Sequence, residues 1–340
     1  MTNHLARRLH NQLLAGNGLA SAHAVVAHFG AMQAQDYLGA LWAVGVRMRG
    51  RVVEADVERE IAERRIVRCW PMRGTLHFVA AEDVRWMLEL LAPRVLARNR
   101  ARLAREFGLD AATLRRCRTA VERALRGGHA LTRAELYAAL DRAGVATGEG
   151  RGLHVLFALA HERLICFGAR RGKQPSFVLL DEWLPPSPPK PRDEALAELA
   201  RRYLTSHGPA TSDDLMWWSG LTSKEAKESI ALAGPLPEPR VVTRPVVRLL
   251  PPFDEYTVAY RDRSAIIDKG FASRLNAGGG MLNAVMVANG RVAGNWKRTL
   301  RGTKVEIAIA PFRELTERER NAVDREAARY ARFLTGGTRS

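Results

Sequence analysis

The hydrophobic positions in the N-terminal part of the chain follow a helical period first and a β period afterwards. Helical periodicity is present in three segments, at about 3–15, 21–30 and 54–65. Two β-patterned runs follow, at 66–70 and 75–79, and residues 71–74 form a short turn between them. Ser21 lies where it can cap the second helix. Three helices followed by a β-hairpin predict a winged-helix unit.

The middle of the chain repeats this order more clearly. Helices are predicted at about 81–107, 111–126 and 150–162, and strands at 164–167 and 176–180. Thr132 and Glu135 have the spacing of a capping box, which marks the start of a further helix. The turn between the two strands is basic because it carries Arg170, Arg171 and Lys173. The pattern predicts a helix-turn-helix with a positively charged wing, which suits a phosphate backbone.

A proline-rich stretch separates the C-terminal part of the chain from the rest. Residues 185–192 carry five prolines, which predict a stiff, extended linker. Helices are predicted after it at about 193–206, 208–219, 223–232 and 314–334. Strands are predicted near 241–250, 256–260, 281–288, 291–297 and 304–310. Asn289-Gly290, between two of these strands, predicts a tight hairpin.

Together these elements predict an α+β protein with three tandem winged-helix units and a β-rich C-terminal region. We expect four segments: a first winged-helix unit at 1–80, a helical connector with a second unit at 81–184, the linker at 185–192, and a third unit with the β-rich region at 193–340. The three units share no sequence repeat of fixed period.

Charge narrows the range of functions. Of the 340 residues, 53 are Lys or Arg and 36 are Asp or Glu, which gives a formal net charge of +17. Most of the cations are arginine, which forms bidentate bonds with phosphate and guanine. A GC-rich genome would explain arginine in place of lysine, but not the excess of base over acid. The charge therefore predicts a nucleic-acid-binding protein.

Other features of the composition argue against several classes of protein. Cys69, Cys117 and Cys166 are far apart and odd in number, which fits a reducing cytoplasm and argues against a disulfide framework or a zinc site. No apolar run approaches the ~18 residues of a membrane-spanning helix. The histidines lack metal-binding spacing, and no phosphate-binding loop or dinucleotide fingerprint is present. We expect no metal, no cofactor and no membrane contact.

Gln33-Ala34-Gln35 is the most informative polar motif of the chain. In extended backbone, side chains two residues apart point to the same face. Two neutral amides on one face can hold a water molecule, or contact a base edge, without adding charge. For an isolated pair of glutamines, a structural role as satisfied polar residues in a turn is the more common one.

Five groups of motifs, taken together and in order, resemble the tandem winged-helix DNA glycosylases of the AlkZ/YcaQ superfamily. They lie at 33–36, 72–77, 207–211 with 218–221, 250–256, and 290–296. No single motif is specific, but the resemblance covers nearly the whole chain.

The resemblance implies a fold and an activity. The fold is three winged-helix units in a C-shaped, basic, concave scaffold followed by a small β-rich region. The activity is the excision of alkylated purines, including the unhooking of interstrand crosslinks. The family's catalytic signature is Gln-Φ-Gln or Gln-Φ-Asp, where Φ is apolar, and its polar positions match Gln33 and Gln35. Many members of the Gln-Φ-Gln branch protect antibiotic-producing actinomycetes from their own DNA-alkylating product.

Two glutamines suffice for this chemistry only if the substrate supplies a good leaving group. Hydrolysis of a glycosidic bond passes through an oxocarbenium-like state, for which glycosidases usually provide two carboxylates. An N7-alkylguanine is already cationic, so it leaves as a neutral base without a general acid. The amide oxygens of Gln33 and Gln35 then need only to orient a water molecule. Since the motif contains no lysine, we expect a monofunctional glycosylase without Schiff-base chemistry.

Asp36 is the alternative water activator because it is the only carboxylate beside the motif. In extended backbone its side chain would point away from Gln33 and Gln35. We therefore favour a role for Asp36 as the N-cap of a helix over 37–44.

Cationic and aromatic side chains provide candidates for contacts with DNA or with the lesion. The candidates are Arg73, His77, Arg170, Arg171, Lys173, Arg291, Lys297 and Arg298. A structural role is the more common one for a lone strand histidine such as His77. The 289–290 hairpin is one candidate for the family's DNA-inserting hairpin. The arginines of 94–105 and 115–126 fit solvated helix faces and a DNA-facing groove equally well.

The remaining polar and aromatic clusters are expected to be structural. Carboxylates that face DNA would weaken binding, so we expect the acidic stretch 254–256 to hold an arginine. Trp217, Trp218 and Trp296 are expected to serve in packing, and stacking on DNA is the alternative for Trp296.

Two functions without chemistry compete with the glycosylase hypothesis. They are a winged-helix transcription regulator and a protein that sequesters adducted DNA. A regulator would usually be a dimer with a palindromic site, and no ligand or dimerisation domain is recognisable. We expect a cytoplasmic, nucleoid-associated monomer whose partner is double-stranded DNA carrying an alkylated purine.

Overall fold

The structure is a computed structural model that describes residues 3–237, 245–302 and 304–336. It is 51% helix and 19% strand. The helices and the antiparallel strand pairs alternate irregularly along the chain rather than as βαβ units, which confirms the predicted α+β class.

The chain divides into two compact units. The first contains residues 1–58 and 196–340, and the second contains residues 59–195. The N-terminal helices therefore belong to the same unit as the C-terminal half of the chain. The division into winged-helix segments at 1–80, 81–184, 185–192 and 193–340 stays a prediction.

The first unit contains the N-terminal helices, one short strand and most of the C-terminal elements. Its helices are α1 (Asn3–Asn11), α2 (Ala22–Phe29), α3 (Tyr37–Gly45), α11 (Ser212–Ser219), α12 (Ser223–Ala233), α13 (Glu255–Val258) and α14 (Glu317–Thr335). Its strands are β1 (Ala31–Gln33), β7 (Val247–Leu250), β8 (Asn276–Gly278), β9 (Met281–Leu282), β10 (Val285–Ala288), β11 (Arg291–Arg301) and β12 (Lys304–Pro311). Helices α4 (Glu54–Ala62) and α10 (Arg192–His207) cross the two boundaries.

The second unit holds the middle of the chain. Its helices are α5 (Val84–Phe107), α6 (Ala111–Leu125), α7 (Arg133–Arg142), α8 (Arg151–His161) and α9 (Leu180–Trp183). Its strands are β2 (Ile66–Met72), β3 (Thr75–Ala80), β4 (Leu131–Thr132), β5 (Ile165–Phe167) and β6 (Ser176–Leu179).

Local sequence signals place the elements of the second unit. Thr132 and Glu135 form the predicted capping box at the start of α7, with the Thr132 N–H donating to the Glu135 carboxylate at 2.6 Å. Strands β4, β6 and β5 form a three-stranded antiparallel sheet in that order. Apolar side chains from the helices and from this sheet share one buried core, which includes Leu136, Leu156 and Phe177.

A four-stranded sheet supports the C-terminal part of the first unit. Its order is β12-β11-β10-β7. Two buried indoles donate to carbonyls of β7, Trp42 to Leu249 at 2.7 Å and Trp296 to Leu250 at 2.8 Å. Tyr330 of α14 packs edge-on against both rings, at centroid distances of 5.0 and 4.9 Å. The predicted packing role of Trp296 is therefore confirmed.

Several predicted elements differ from the structure. Residues 256–260 are not a strand, because Asp254 caps the short helix α13 and accepts from the Tyr256 N–H at 2.9 Å. The first helix ends at Asn11 rather than near 15. The predicted strand 281–288 is interrupted between β9 and β10. Of the predicted strand 241–250, only 247–250 is observed as strand, and residues 241–244 lie outside the described residues.

Candidate active site

Gln33-Ala34-Gln35 lies at the end of β1, where the chain leaves the strand before α3. Gln33 is the last residue of β1 and is 9% exposed, and Ala34 is fully buried. Gln35 is exposed. The motif therefore has one nearly buried glutamine and one exposed glutamine.

A buried carboxylate holds the backbone of the motif. The Gln33 N–H donates to Glu255 Oε1 at 2.6 Å. The other oxygen, Glu255 Oε2, accepts from the Trp218 indole N–H at 2.9 Å and lies 3.3 Å from His207 Nε2. Glu255 is 1% exposed. A carboxylate buried this deeply requires such polar partners, and charge-assisted hydrogen bonds are stronger than neutral ones.

His207 is fixed in turn by the end of α10. Its Nδ1 lies 2.8 Å from the Ser206 hydroxyl, and its ring stacks on Tyr203 with centroids 4.6 Å apart. Phe29, at the end of α2, packs edge-on against the same imidazole at 5.3 Å. Both the helix that precedes β1 and the helix that carries His207 therefore restrict the position of the Glu255 cluster.

A fully buried ion pair stands beside Glu255. The Arg47 guanidinium donates to both Asp254 oxygens, at 2.7 and 2.8 Å, and both side chains are 0% exposed. Arg47 also donates to the Gln12 carbonyl at 2.9 Å and to the Ala43 carbonyl at 2.7 Å. The expectation that the acidic stretch holds an arginine is thus confirmed for Asp254. Glu255 has a different role, because its partners are Gln33, His207 and Trp218.

Three buried tyrosines complete the hydrogen bonding around the cluster. Burial raises the pKa of Tyr203, Tyr256 and Tyr260 well above the ordinary value, so their hydroxyls stay protonated. They donate to the carbonyls of Ala259 at 2.9 Å, Gly290 at 2.7 Å and His207 at 2.8 Å, respectively. These bonds tie the 290–296 and 207–211 motifs to the segment that carries Glu255.

Asp36 does not cap α3 as predicted. It occupies the N-cap position, but its side chain makes no capping hydrogen bond to the helix. The carboxylate lies over Gly39 instead, so close that a β-carbon at residue 39 would be 2.6 Å from Asp36 Oδ2. The carboxylate is therefore not committed to the helix end, which keeps Asp36 as the alternative water activator.

The two hairpins of the C-terminal sheet differ in accessibility. The predicted Asn289-Gly290 turn is present, with φ of 52° and 86° at these residues. Gly290 is buried against Leu5 and Tyr256, so this turn has no free tip to place in a DNA groove. By contrast, β11 and β12 extend to the pair Arg301–Lys304, where Leu300 is 58% exposed.

The cationic candidates of the first unit have different surroundings. Arg291 is exposed and pairs with Asp268. Lys297 is exposed on β11, while the neighbouring Arg298 donates to the Tyr330 hydroxyl. Lys297 is thus presented to solvent, whereas Arg298 is part of the packing. Trp217 is 50% exposed, so the predicted packing role holds for Trp218, which is fully buried, but not fully for Trp217.

The candidates of the second unit are also divided. His77 is fully buried in β3 opposite Cys69, and its Nδ1 lies 3.0 Å from the Thr75 carbonyl. Its burial supports the structural role. Arg73 lies at the β2–β3 turn with φ of 54°.

The basic turn between β5 and β6 carries the other three candidates of the second unit. Arg171 donates to the Glu135 carboxylate at 2.6 Å, and Arg170 donates to the Lys173 carbonyl at 3.0 Å. Lys173 is exposed. The turn is therefore ordered by its own arginines and presents Lys173 to solvent.

Two kinds of feature are absent from the described residues. No group of three or more His, Cys, Asp or Glu side chains there is arranged to hold a metal ion. No helix in the same residues is long and apolar enough to cross a membrane.

The anchoring residues of the site were not identified from the sequence. His207 and Trp218 belong to one of the five motif groups that carry the family resemblance, Glu255 belongs to a second, and Gln33 belongs to a third. The signal that could have found them is that polar or aromatic residues recur in each motif without a local partner. Their convergence on one carboxylate is visible only in the structure.

Comparisons with known proteins identify the family of this chain. A family model described as DNA glycosylase AlkZ-like matches residues 26–333. The interstrand DNA cross-link repair glycosylase of Streptomyces sahachiroi is 28% identical, over 96% of this chain and 94% of that protein. The solved structure of Streptomyces sahachiroi DNA glycosylase AlkZ matches the fold with a TM-score of 0.78 and 23% identity, over 98% of this chain and 96% of that chain. Because the family model spans most of its length, this protein belongs to the AlkZ-like DNA glycosylases, which are hydrolases that act on N-glycosyl bonds.

Proposed function

We propose that this glycosylase releases cationic, N-alkylated purines from double-stranded DNA, with Gln33 and Gln35 orienting the attacking water. The observation that carries the proposal is the way in which the motif is held in the structure. The backbone N–H of Gln33 is bound by the buried Glu255 carboxylate, and Gln35 is exposed two residues later. A motif with a fixed backbone and an exposed glutamine suits a water that must be placed against a bound substrate.

The chemistry follows from the charge of the lesion. A purine alkylated at N7 carries a positive charge, and cleavage of its bond to C1′ leaves a neutral base and a sugar cation. The protein then has to place water at C1′ with a lone pair directed at that atom. The amide oxygens of Gln33 and Gln35 can accept the hydrogens of the water, and Asp36 is the alternative acceptor. Positioning of this kind can lower a barrier by several of the ~7–11 kcal/mol that proximity effects provide.

The range of substrates is proposed from the relative. The Streptomyces sahachiroi protein is named for repair of interstrand DNA crosslinks. We propose that this chain likewise accepts bulky adducts and crosslinks, as part of DNA repair or of self-resistance to a DNA-alkylating product. It would act as a monomer on nucleoid DNA in the cytoplasm, without a Schiff-base intermediate.

The β11–β12 hairpin is proposed to enter the DNA. Its end presents Arg301 and Lys304 beside the exposed Leu300. Cations attract the phosphates, and an apolar wedge can occupy the space of a disturbed base step. Lys297 lies on the same strand and is exposed as well.

The test is base release from a duplex that contains one N7-alkylguanine. Gln35→Ala and Gln33→Ala are each expected to reduce the single-turnover rate by about 10²-fold or more, the size seen when one polar group that acts in the transition state is removed. Asn17→Ala, which removes an exposed amide elsewhere in the first unit, is the control and should retain the wild-type rate.

Three outcomes distinguish the hypotheses. Loss of release in the Gln variants with retained DNA binding supports the proposal. Loss in Asp36→Asn with little change in the Gln variants would transfer the water-activating role to Asp36. If the wild-type protein binds the alkylated duplex but releases no base, sequestration of adducts replaces catalysis as the function.

A further inference from the structure

A basic groove lies in the second unit, between α6 and α7. It has a volume of about 870 Å³ and is open to solvent. Alanine side chains from both helices line it, among them Ala120 and Ala139. We call it the α6–α7 groove. Its small side chains leave room for an extended ligand, and they add no polar group that would select a particular base.

The groove concentrates positive charge. Arg115, Arg116, Arg123 and Arg142 line it, and Asp110 is the one acidic residue of the described lining. The Asp110 carboxylate accepts from the Thr113 N–H at 2.7 Å and caps α6. In the part of the chain that the structure describes, none of the four guanidinium groups takes part in a salt bridge.

Two other arginines, one in α6 and one at its C-cap, form salt bridges. Arg118 lies 3.3 Å from Glu162, and Arg126 lies 3.0 Å from Glu122. These two arginines are thus balanced by carboxylates, while the groove has four arginines against the single carboxylate of Asp110 and stays net positive. A cationic surface of this kind is complementary to an anionic ligand.

The spacing of the arginines fits a regular chain of phosphates. Arg116 and Arg123 are seven residues apart, which puts them on the same side of the helix and about 10 Å apart along its axis. Phosphates of one DNA strand rise by about 3.4 Å per nucleotide along the duplex axis and also turn around it, so this distance spans fewer than about three nucleotides. The alanine methyl groups between the arginines suit the apolar carbons of deoxyribose.

We propose that the α6–α7 groove binds the sugar–phosphate backbone of duplex DNA. The proposal rests on the proposed action on double-stranded DNA. It adds a contact between the second unit and the DNA, beside the contact proposed for the Gln33–Gln35 motif of the first unit. Phosphate contacts fix position without reading sequence. The groove therefore holds damaged and undamaged DNA alike.

The first experiment measures binding to an undamaged duplex as a function of salt concentration. The double variant Arg116→Gln/Arg123→Gln is expected to bind more weakly at low salt. The slope of log K against log salt concentration should fall by about 1.8, since each phosphate contact contributes about 0.9. The control is Arg318→Gln/Arg325→Gln, which removes two exposed arginines with the same seven-residue spacing from α14. An equal change of slope in both double variants would overturn the proposal, because only net charge would then matter.

A second experiment identifies the occupant of the groove. Thr119 lines the groove and is exposed. A benzophenone attached to Thr119→Cys should form a covalent product with the DNA strand upon irradiation. Products with protein alone, in a mixture of this enzyme, DNA and cell extract, would overturn the proposal and indicate a protein partner.

Failure of this proposal can be told apart from failure of the proposed function. The groove variants are expected to retain the single-turnover rate of base release at saturating enzyme, while Gln35→Ala loses that rate and keeps the wild-type salt slope. An unchanged slope in the Arg116/Arg123 variant would remove the groove contact and leave the catalytic proposal intact.

Discussion

At the scale of single residues, the site depends on a carboxylate that never needs to touch the substrate. Glu255 binds the backbone of Gln33, the indole of Trp218 and the ring of His207. These partners come from strand β1 and from helices α11 and α10, respectively. A buried charge with several fixed donors resists displacement, because any movement would leave a donor or an acceptor unpaired. Glu255 therefore acts as a positioning residue for the proposed catalytic glutamines.

Glu255→Gln is expected to slow base release while undamaged DNA binds as before. The new amide NH₂ would face either the Gln33 N–H or the Trp218 N–H, and a mismatched buried pair costs about 1–3 kcal/mol. The single-turnover rate at saturating enzyme should fall by about tenfold or more if that energy acts on the water site.

Trp218→Phe is the matched control for Glu255→Gln. It removes one donor from Glu255 and leaves the bond to Gln33 in place. It should lower the melting temperature with a much smaller loss of rate. Equal losses of rate at equal losses of stability would show that Glu255 is merely structural.

At the scale of the elements, local sequence signals determined the ends of several helices and one turn. Packing determined whether a hairpin turn of the C-terminal sheet is buried or exposed. The Asn289-Gly290 turn joins β10 and β11 as its sequence predicts, yet its burial against Leu5 removes it as a DNA-inserting hairpin. The turn near Gly302 carries no such contact. Gly290 and Gly302 both have a positive φ, but only Gly290 also lies where a side chain would have no room.

Gly290→Ala is expected to destabilise the protein more than Gly302→Ala. Both residues have positive φ, 86° and 59°, so an alanine at either position destabilises the folded state by about 1–2 kcal/mol. At Gly290 a β-carbon would also lie 2.9 Å from Leu5 Cβ, whereas at Gly302 it would meet nothing within 4 Å. Overpacking of this kind costs a further ~1–3 kcal/mol. Urea unfolding midpoints of the two variants measure the difference, and equal midpoints would contradict the packing argument.

At the scale of the whole molecule, net charge and pH act on both units. Hydrogen bonds from the Thr132 N–H and hydroxyl and from Arg171 lower the pKa of Glu135 to about 2 in the second unit. In the first unit, a hydrogen bond from Arg313 is the main cause that lowers the pKa of Glu319 to about 2. With a net charge of +17, the protein also gains positive charge whenever such carboxylates are protonated.

The protein is expected to lose stability as pH falls from about 4.5 towards 2. Both carboxylates have a folded pKa below the ordinary value of 4.5, so the stabilisation is present above pH 4.5 and is lost as they are protonated. Glu319→Gln should lower the melting temperature at neutral pH and reduce its acid dependence. Glu317→Gln, in the same helical turn and exposed, is the control and should keep the wild-type dependence. A wild-type pH profile in Glu319→Gln would contradict this assignment.

The sequence by itself determined what depends on neighbouring residues. The capping box at Thr132–Glu135, the Asn289-Gly290 turn, the α+β class and the basic charge each follow from spacing or composition. The Gln33-Ala34-Gln35 motif, together with the other motifs of the resemblance, identified the family. The tertiary structure decided what depends on contacts between distant residues. Gln33 and Glu255 are 222 positions apart, and the helix at 255–258 forms where β propensity favoured a strand. Asp36 had the right position for a cap, but its side chain turned to Gly39 instead. Local rules act over about one helical turn, whereas a buried carboxylate takes its partners from whichever segments the core brings together.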